Sequence, residues 1–328
     1  MNPTLSSIRS IVLLQFLTAC LLALAVGPAT SGPLEDAEPK AVQVLLDASR
    51  SEDPLLRMHA IEGAKSMPDR ALPMVTLAMD DENPAVRYAA LATAGRLELE
   101  ALGPQAATMA RDISQPDYVK AAALFAAARC GQEVDLGRLA SMLWDDNIGT
   151  RSNVAMLFGW MENPQVIPVL LDASEAPMDR ARPVERELVR LQITESLLNL
   201  GHDESLKALR GAAYSSHDEV RILATLMLGK TLDRGMEGNL IGFLAKNPIE
   251  LRLAAAESLA RMGSLEGLPV IYEAVQHSAP TVRAQAAFAL AQAESDPEAE
   301  LQLIGLMEDP NGQVRIAAAA ATLEALYR

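Results

Sequence analysis

Apolar residues recur along most of the chain at intervals of three and four positions, which is the spacing of one face of an α-helix. A clear stripe of this kind consists of Leu251, Ala254, Ala255, Ser258, Leu259 and Met262. Sustained alternation of apolar and polar residues is not found, and β-branched residues are sparse. The pattern therefore predicts an all-α protein without strands.

Each stripe follows a turn rich in Asp, Asn and Pro and then a basic residue, and this arrangement repeats. The basic residues of nine copies lie 30 to 39 positions apart, most often 31: Arg57, Arg87, Lys120, Arg151, Arg190, Arg221, Arg252, Arg283 and Arg315. A repeat of this length is typical of a helical array in which each unit buries its apolar face against its neighbours. We predict an α-solenoid of nine units, each made of a helix A, a turn and a helix B that the turn residues cap.

The ends of the helices and of the array show further features. Glycines at Gly95, Gly201, Gly229 and Gly263 fit left-handed C-terminal caps of helix B. The stripe of the first unit contains His59 and Gly63, where other units have different residues. We therefore predict that the first and last units cap the array.

The repeat resembles the HEAT-repeat family, in particular the short HEAT-like units of phycobilin lyases. The resemblance covers about residues 40–328. It rests on the Val-Arg pair that begins helix B, on prolines in helix A and on acids that precede the basic residue: Pro73, Pro168 and Pro269, and Asp81, Asp145 and Asp309. The family pattern implies a ladder of acid–Arg pairs between units. Several copies lack the acid, so we expect the ladder to be discontinuous; the residues at that position are Ser51, Ser114, Ser215, Lys246 and His277.

The first 29 residues have a different composition. Arg9 precedes an apolar run over residues 11–26, and small residues follow, which is the layout of a secretory signal peptide cleaved after Ala25 or Ala29. The alternative is a lipoprotein leader in which Cys20 is the lipidated residue. An uncleaved anchor is less favoured, because the run is shorter than the ~20 residues that span a bilayer.

The domain prediction follows from these boundaries. Residues 1–29 form the signal peptide or lipoprotein leader, residues 30–39 a linker, and residues 40–328 the solenoid. Export would place the protein in the periplasm or cell envelope of a bacterium, with a membrane attachment only through a lipid or an uncleaved leader.

Charge and cysteine content limit the partners and the chemistry. The chain has 43 acidic and 28 basic residues and a net charge of −15, which argues against binding a nucleic-acid backbone. Once the leader is removed, Cys130 is the remaining cysteine, and its place in an alanine-rich stripe indicates a small buried side chain.

The sequence carries no motif for catalysis, and no catalytic, cofactor-binding or metal-binding residue is predicted. Its four histidines fall in different units and lack partners at metal-ligand spacing: His59, His202, His217 and His277. No His-Glu pair matches those of the HEAT-fold iron hydroxylases. We therefore predict a non-enzymatic scaffold or assembly factor that binds an unidentified protein. The alternative is a lyase-like or chaperone-like factor that handles a pigment or another cofactor.

The long spacing before Arg190 marks an insertion of eight residues in the fifth A/B turn. The inserted segment, residues 175–186, contains Arg180, Arg182 and Arg186, which we predict to contact an acidic protein or a lipid head group. The alternative is a solvated loop in which these arginines pair with acids of the same segment, Glu175, Asp179 and Glu185.

The fourth unit contains both tryptophans. Phe158 belongs to its apolar stripe and is predicted to be core, whereas Trp160 lies at the edge of the stripe. Trp160 is therefore a candidate partner-binding anchor. The alternative is that it seals a gap between repeats.

Overall fold

The computed structural model describes residues 32–294 and 296–328, which form helices and no strands. The helices A are α1 (Pro33–Ala48), α3 (Pro68–Met79), α5 (Gly103–Arg111), α7 (Leu136–Ser141), α9 (Ile167–Glu175), α11 (Leu206–Ala212), α13 (Glu237–Phe243), α15 (Leu268–Val275) and α17 (Pro297–Leu306). The helices B are α2 (Pro54–Gly63), α4 (Pro84–Arg96), α6 (Asp117–Arg129), α8 (Ile148–Gly159), α10 (Pro183–Asn199), α12 (Asp218–Thr231), α14 (Ile249–Arg261), α16 (Pro280–Gln292) and α18 (Gly312–Leu326). Units 1 to 9 are the successive A/B pairs, as the sequence predicted.

The chain boundaries differ in part from the prediction. The leader over residues 1–29, with Cys20, lies outside the described residues. Residues 33–39 were predicted to be a linker, but they form the first turns of α1. Pro33 stands in the first helical turn, where the missing amide hydrogen costs nothing, and Glu35 accepts a hydrogen bond from the Gly32 amide. Among the described helices, none combines the length and the apolar character needed to cross a membrane.

A turn side chain caps helix B in units 1, 2, 4 and 9, as predicted, whereas helix B of units 3, 5, 6, 7 and 8 begins without a hydrogen bond from an N-cap side chain. In unit 2 the Asn83 side chain accepts a hydrogen bond from the Ala85 amide at 2.9 Å, and Pro84 occupies the first helical position. In unit 9 Asn311 accepts one from the Gln313 amide at 2.9 Å. These caps satisfy amides that have no partner inside the helix.

The repeated arginine holds this turn in place. The Nη1 group of Arg87 donates to the carbonyl oxygens of Asp81 and Glu82, at 2.7 and 3.0 Å. The same two contacts, to the residues six and five positions earlier, are made by Arg57, Arg283 and Arg315. The arginine therefore stabilises its own A/B turn whether or not a carboxylate lies nearby.

The ladder of pairs between units is discontinuous, as expected. Arg283 binds Asp309 of the next unit through two hydrogen bonds of 2.7 and 2.9 Å, and Arg57 binds Asp81 in the same way. Arg87 instead reaches the Gln115 amide oxygen, because unit 3 has no acid at that place.

Small residues allow the helices B to cross closely. A Cβ atom on Gly95 would lie 2.4 Å from the Phe125 ring, and one on Gly229 would lie 2.6 Å from the Ser258 backbone. Both glycines lie within their helices, so the prediction that they are left-handed caps was wrong.

The other two predicted cap glycines have the expected conformation. Gly201 and Gly263 follow α10 and α14 with φ of 86° and 79°. A positive φ of this size is costly for a residue that carries a Cβ atom, which accounts for glycine at these positions.

The array closes into a ring. Each helix B packs against the helices B of the units before and after it, and α18 packs against α2 of unit 1 and along α1. Successive helices A make few contacts with one another, whereas successive helices B are closely packed. The helices A therefore lie on the longer outer circumference of the ring, and the helices B surround a lumen. The prediction that units 1 and 9 cap the two ends of the array was wrong, since each covers the apolar face of the other.

The seam is the contact of unit 9 with unit 1. Gly63 makes room for it, because a Cβ atom there would lie 3.3 Å from the Ala320 methyl group and 3.1 Å from Leu45. On the outer side the Tyr327 hydroxyl donates to Glu38 at 2.7 Å, and Lys40 pairs with Glu308. The unusual glycine in the stripe of unit 1 is therefore a packing residue of the seam.

Candidate functional site

Antiparallel helices place all the A/B turns at one edge of the ring and all the B/A turns at the other. At the first edge, consecutive turns of units 3 to 6 present large side chains to solvent. We call this surface the turn edge: Ile113, Trp144, Arg180, Arg182 and Tyr214. The residue exposures of its apolar members are 92%, 42% and 56% for Ile113, Trp144 and Tyr214.

The insertion of unit 5 contributes the arginines of this surface. Helix α9 ends at Glu175 and α10 begins at Pro183, so the loop covers residues 176–182 and the rest of the inserted segment lengthens the helix. The prediction placed Arg186 in the turn, whereas the structure places it in the first turns of α10. Met178 and Ala181 are buried, and they hold the loop against the core.

The three arginines are paired in this structure. Arg180 binds Asp146 of unit 4 at 2.7 Å, and both side chains are more than 80% exposed. The side chain of Arg182 donates to Glu185, and this bond raises the pKa of Arg182 and lowers that of Glu185. Arg186 donates to the Ala181 carbonyl at 2.7 Å. Of the partners that the alternative interpretation named, Glu185 is the one used. Exposed pairs of this kind contribute little to stability, so a partner can replace them.

Hydrogen bonds between turns fix the positions of these side chains. Arg151 is mostly buried and donates to the carbonyl oxygens of Trp144 and Pro177, each at 3.1 Å. Glu187 of unit 5 accepts a hydrogen bond from Ser215 and lies 3.2 Å from the His217 ring. The hydrogen bond from Ser215 is the main reason why the pKa of Glu187 is lowered. The turns of units 4, 5 and 6 are therefore joined into one surface.

Trp160 lies at the other edge of the ring. It follows α8, a helix of 12 residues or about 18 Å, so it is far from the arginines of the insertion. Its ring packs against Phe125 with the centroids 6.3 Å apart, and the Arg96 guanidinium carbon lies 4.6 Å from its centroid. Trp160 thus packs between units 2, 3 and 4. The structure does not bring it together with Arg180, Arg182 and Arg186.

The remaining candidate side chains take ordinary roles. Cys130 is buried, its thiol lies 3.6 Å from the Ala94 carbonyl oxygen, and burial raises its pKa to about 11. Phe158 is core, as predicted. His59 pairs with Glu62 at 3.0 Å. Within residues 32–294 and 296–328, no group of three or more His, Cys, Asp or Glu side chains has the geometry to hold a metal ion.

Sequence reasoning missed three members of the turn edge. In unit 4 the stripe pattern favours Trp160 over Trp144 as an anchor. The helical periodicity does not mark Ile113 or Tyr214. A usable signal was present, because each is a large apolar residue inside an otherwise polar A/B turn, outside the stripes that form the core.

Comparison with known structures finds similar helical proteins with low overall overlap. Human deoxyhypusine hydroxylase in complex with glycerol is 16% identical over 92% of this chain and 100% of its own, with a TM-score of 0.38. The protein YibA of E. coli is 14% identical over 78% of this chain and 93% of its own, with a TM-score of 0.38. A mutant of Kap121p is 12% identical over 85% of this chain and 37% of its own, with a TM-score of 0.35. No curated protein matches the sequence.

The family model for HEAT repeats matches residues 42–117 and 237–324, which together are half of the chain. The matched regions contain most of unit 1, all of unit 2, helix A of unit 3, units 7 and 8, and most of unit 9. These regions meet at the seam, and the unmatched part contains the insertion and most of the turn edge. The chain belongs to the HEAT-repeat family.

Proposed function

We propose that the protein is an exported, non-enzymatic scaffold or assembly factor that binds a protein partner across the turn edge of units 3–6. The observation that carries the proposal is the exposure of Ile113, Trp144 and Tyr214 in the turns of units 3, 4 and 6, of which hydrogen bonds join those of units 4 to 6. Aromatic residues and arginine are enriched in the energetic centres of protein interfaces. Exposed apolar side chains that cluster on one surface are typical of protein interaction sites.

The charge of the surface suggests the chemistry of the partner. Arg180 and Arg182 stand in a protein of net charge −15, and each is held by a carboxylate, the exposed Asp146 or the half-buried Glu185. An acidic group on the partner would take the place of those carboxylates. The proposed partner is therefore a folded protein with an apolar patch flanked by acidic side chains.

The test begins with affinity purification from detergent-solubilised envelopes of the native host and mass spectrometry of the retained proteins. Direct binding of the identified partner is then measured for a variant with Trp144→Ala and Tyr214→Ala. We expect a loss of at least tenfold in affinity, since aromatic anchors at an interface contribute about 2 kcal/mol or more each.

The control is Leu77→Ala, which removes an apolar side chain of similar exposure, 72%, from the outer helix α3. This variant should bind the partner normally. A partner that binds the double alanine variant as tightly as the wild type would overturn the turn-edge assignment. A co-purifying absorbance band without a stoichiometric protein would favour the cofactor-handling alternative.

Export is a separate part of the proposal and rests on the sequence of residues 1–29. A charged residue placed inside residues 11–26 should keep the protein in the cytosol. If the leader is of the lipoprotein type, Cys20→Ala abolishes incorporation of labelled fatty acid. If it is a simple signal peptide, the same substitution leaves processing unchanged.

A further inference from the structure

A cavity of about 350 Å³ opens on the lumen side of the seam, between α2, α16 and α18. It exists because the ring closes, since its walls come from units 1, 8 and 9. This volume lies at the lower end of the range of about 300–1,000 Å³ that small-molecule sites occupy.

The floor of this seam cavity is apolar. It is formed by Ala284 and Phe288 of α16 and by Ile316, Ala317 and Ala320 of α18. Phe288 and Ala284 are half-buried, so both still present surface to the cavity. An apolar ligand body would remove that surface from water.

The polar wall of the cavity is formed by side chains of α2 and of the residues that follow it. Some of these side chains have a partner within the protein and one does not. His59 and Glu62 bind each other at 3.0 Å. Lys65, by contrast, donates no hydrogen bond and forms no ion pair with any group in the described part of the chain. Lys65 is exposed, but the neighbouring helices desolvate its ammonium group in part, and this desolvation is the main cause that lowers its pKa. The charges of Arg96 and Lys230 lower the pKa further, against the opposing effect of Glu324 and Glu62. Lys65 is therefore an exposed cation at the mouth of the cavity that has no direct partner in the described part of the chain.

A second cation lies on the same side of the lumen. Arg96 stacks on Trp160 and forms no ion pair within residues 32–294 and 296–328. The carboxylates of Glu195 and Glu324 act on it only at a distance. The two neighbouring cations favour an anionic head group at the Lys65 end of the cavity.

We propose that the seam cavity binds a small amphipathic carboxylic acid, with its apolar body against Phe288 and Ile316 and its carboxylate on the Lys65 ammonium group. This site is separate from the turn edge and does not depend on the protein-binding proposal. A ligand here also bridges units 1, 8 and 9, so it stabilises the closed ring by binding the folded state.

The test is calorimetric titration of the full chain with hexanoate, octanoate and decanoate, each below its micelle concentration, and with decanol as the uncharged analogue. Affinity should rise by about fourfold for each methylene that the cavity buries. Decanol should bind at least tenfold more weakly than decanoate.

Two variants assign the binding to this cavity. Lys65→Gln should reduce decanoate affinity at least tenfold and leave decanol binding almost unchanged, whereas Lys207→Gln on the outer helix α11 should change neither. Ala284→Phe fills the cavity from a half-buried position and should abolish binding of both ligands. The thermal melting of each variant confirms that it is folded.

The proposal is overturned if no acid of the series binds, if decanol binds as well as decanoate, or if Lys65→Gln or Ala284→Phe leaves the affinity unchanged. Trp144→Ala should not alter decanoate binding. A failure of the turn-edge proposal and a failure of this one are therefore distinguishable.

Discussion

The interface between units 8 and 9 and the seam between units 9 and 1 join the same kinds of helices, but the chain connects only the first. Between units 8 and 9, Arg283 and Asp309 form a two-bond pair whose side chains are 14% and 6% exposed. At the seam the corresponding arginine is Arg315, and Ser51 occupies the position of the acid.

The missing pair leaves a gap. A cavity of about 320 Å³ lies at the seam, and both Ser51 and Arg315 line it. Arg315 keeps its contacts with the carbonyl oxygens of Asp309 and Pro310 but has no carboxylate partner in the described residues. The seam depends instead on apolar packing around Leu45 and on exposed polar pairs. The comparison shows that packing of apolar faces closes the ring at the seam, where no direct chain connection joins the two units. The Arg–Asp pairs strengthen interfaces between units that the chain already connects.

The largest expected effect comes from breaking the pair between units 8 and 9. Asp309→Ala leaves the mostly buried Arg283 without its carboxylate, and we expect a loss of about 3 kcal/mol in the free energy of unfolding. Urea unfolding, together with hydrogen exchange in α16 and α18, measures the loss. Ser51→Ala at the seam is the matched control and should change stability by less than about 0.5 kcal/mol. Equal effects of the two substitutions would remove the distinction between the interfaces.

A smaller effect is expected from crowding the seam. Gly63 has a helical φ of −68°, so a larger residue is strained by contact with Leu45 and Ala320 rather than by its backbone. Gly63→Leu should therefore cost about 2 kcal/mol and increase hydrogen exchange in α1 and α18.

The control for this substitution is Gly305→Leu in α17, where a Cβ atom meets nothing within 4 Å. That change should be neutral or stabilise the protein by up to about 1 kcal/mol, because leucine favours a helix more than glycine does. If Gly63→Leu stabilises the protein as well, the seam is not closely packed.

The missing acid can be supplied. Ser51→Asp places a carboxylate in the cavity beside Arg315, and we expect a gain of about 1 kcal/mol in the free energy of unfolding. Asparagine has a shape similar to that of aspartate but no charge, so Ser51→Asn should change the free energy of unfolding only slightly. A gain that persists when Arg315 is replaced by Ala would show that the new carboxylate does not pair with it.

The smallest expected effect is on acid stability. The hydrogen bonds from Arg283 lower the pKa of Asp309 below its value in the unfolded chain. The stability that ionised Asp309 contributes is therefore complete at pH values above its pKa in the unfolded chain. It is lost as the pH falls through the pKa of Asp309 in the folded protein. Wild-type stability should fall more steeply below about pH 4 than that of Asp309→Asn, as followed by urea unfolding at several pH values. Parallel pH profiles would contradict this assignment.

The repeat itself was predictable because its information is local. The helical stripes, the Asn83 and Asn311 caps and the arginine contacts with the preceding turn depend on residues within about one unit of each other. Most breaks in the ladder were predictable for the same reason, since a missing acid is visible in the sequence. The break at Asp145 was not, because Lys120 of the preceding unit pairs with Asp117 instead.

The details of the candidate surfaces were less predictable. The length of the unit 5 insertion was evident, but its division between a loop and an extra part of α10 depends on Met178 and Ala181 packing on the core. The stripe places Trp160 near solvent, while Phe125 and Arg96 of neighbouring units pack on it, as in the alternative that it seals a gap between repeats.

The sequence by itself determined the number, type and order of the helices, because hydrophobic periodicity, capping and turn contacts act over a few residues. Only the tertiary structure decided that unit 9 meets unit 1. Closure requires nine crossings that rotate by about 40° each on average, and each crossing depends on how side chains from different units interdigitate. Small differences add up around the ring, so contacts such as Gly63 with Ala320 are decided only when all nine units are in place.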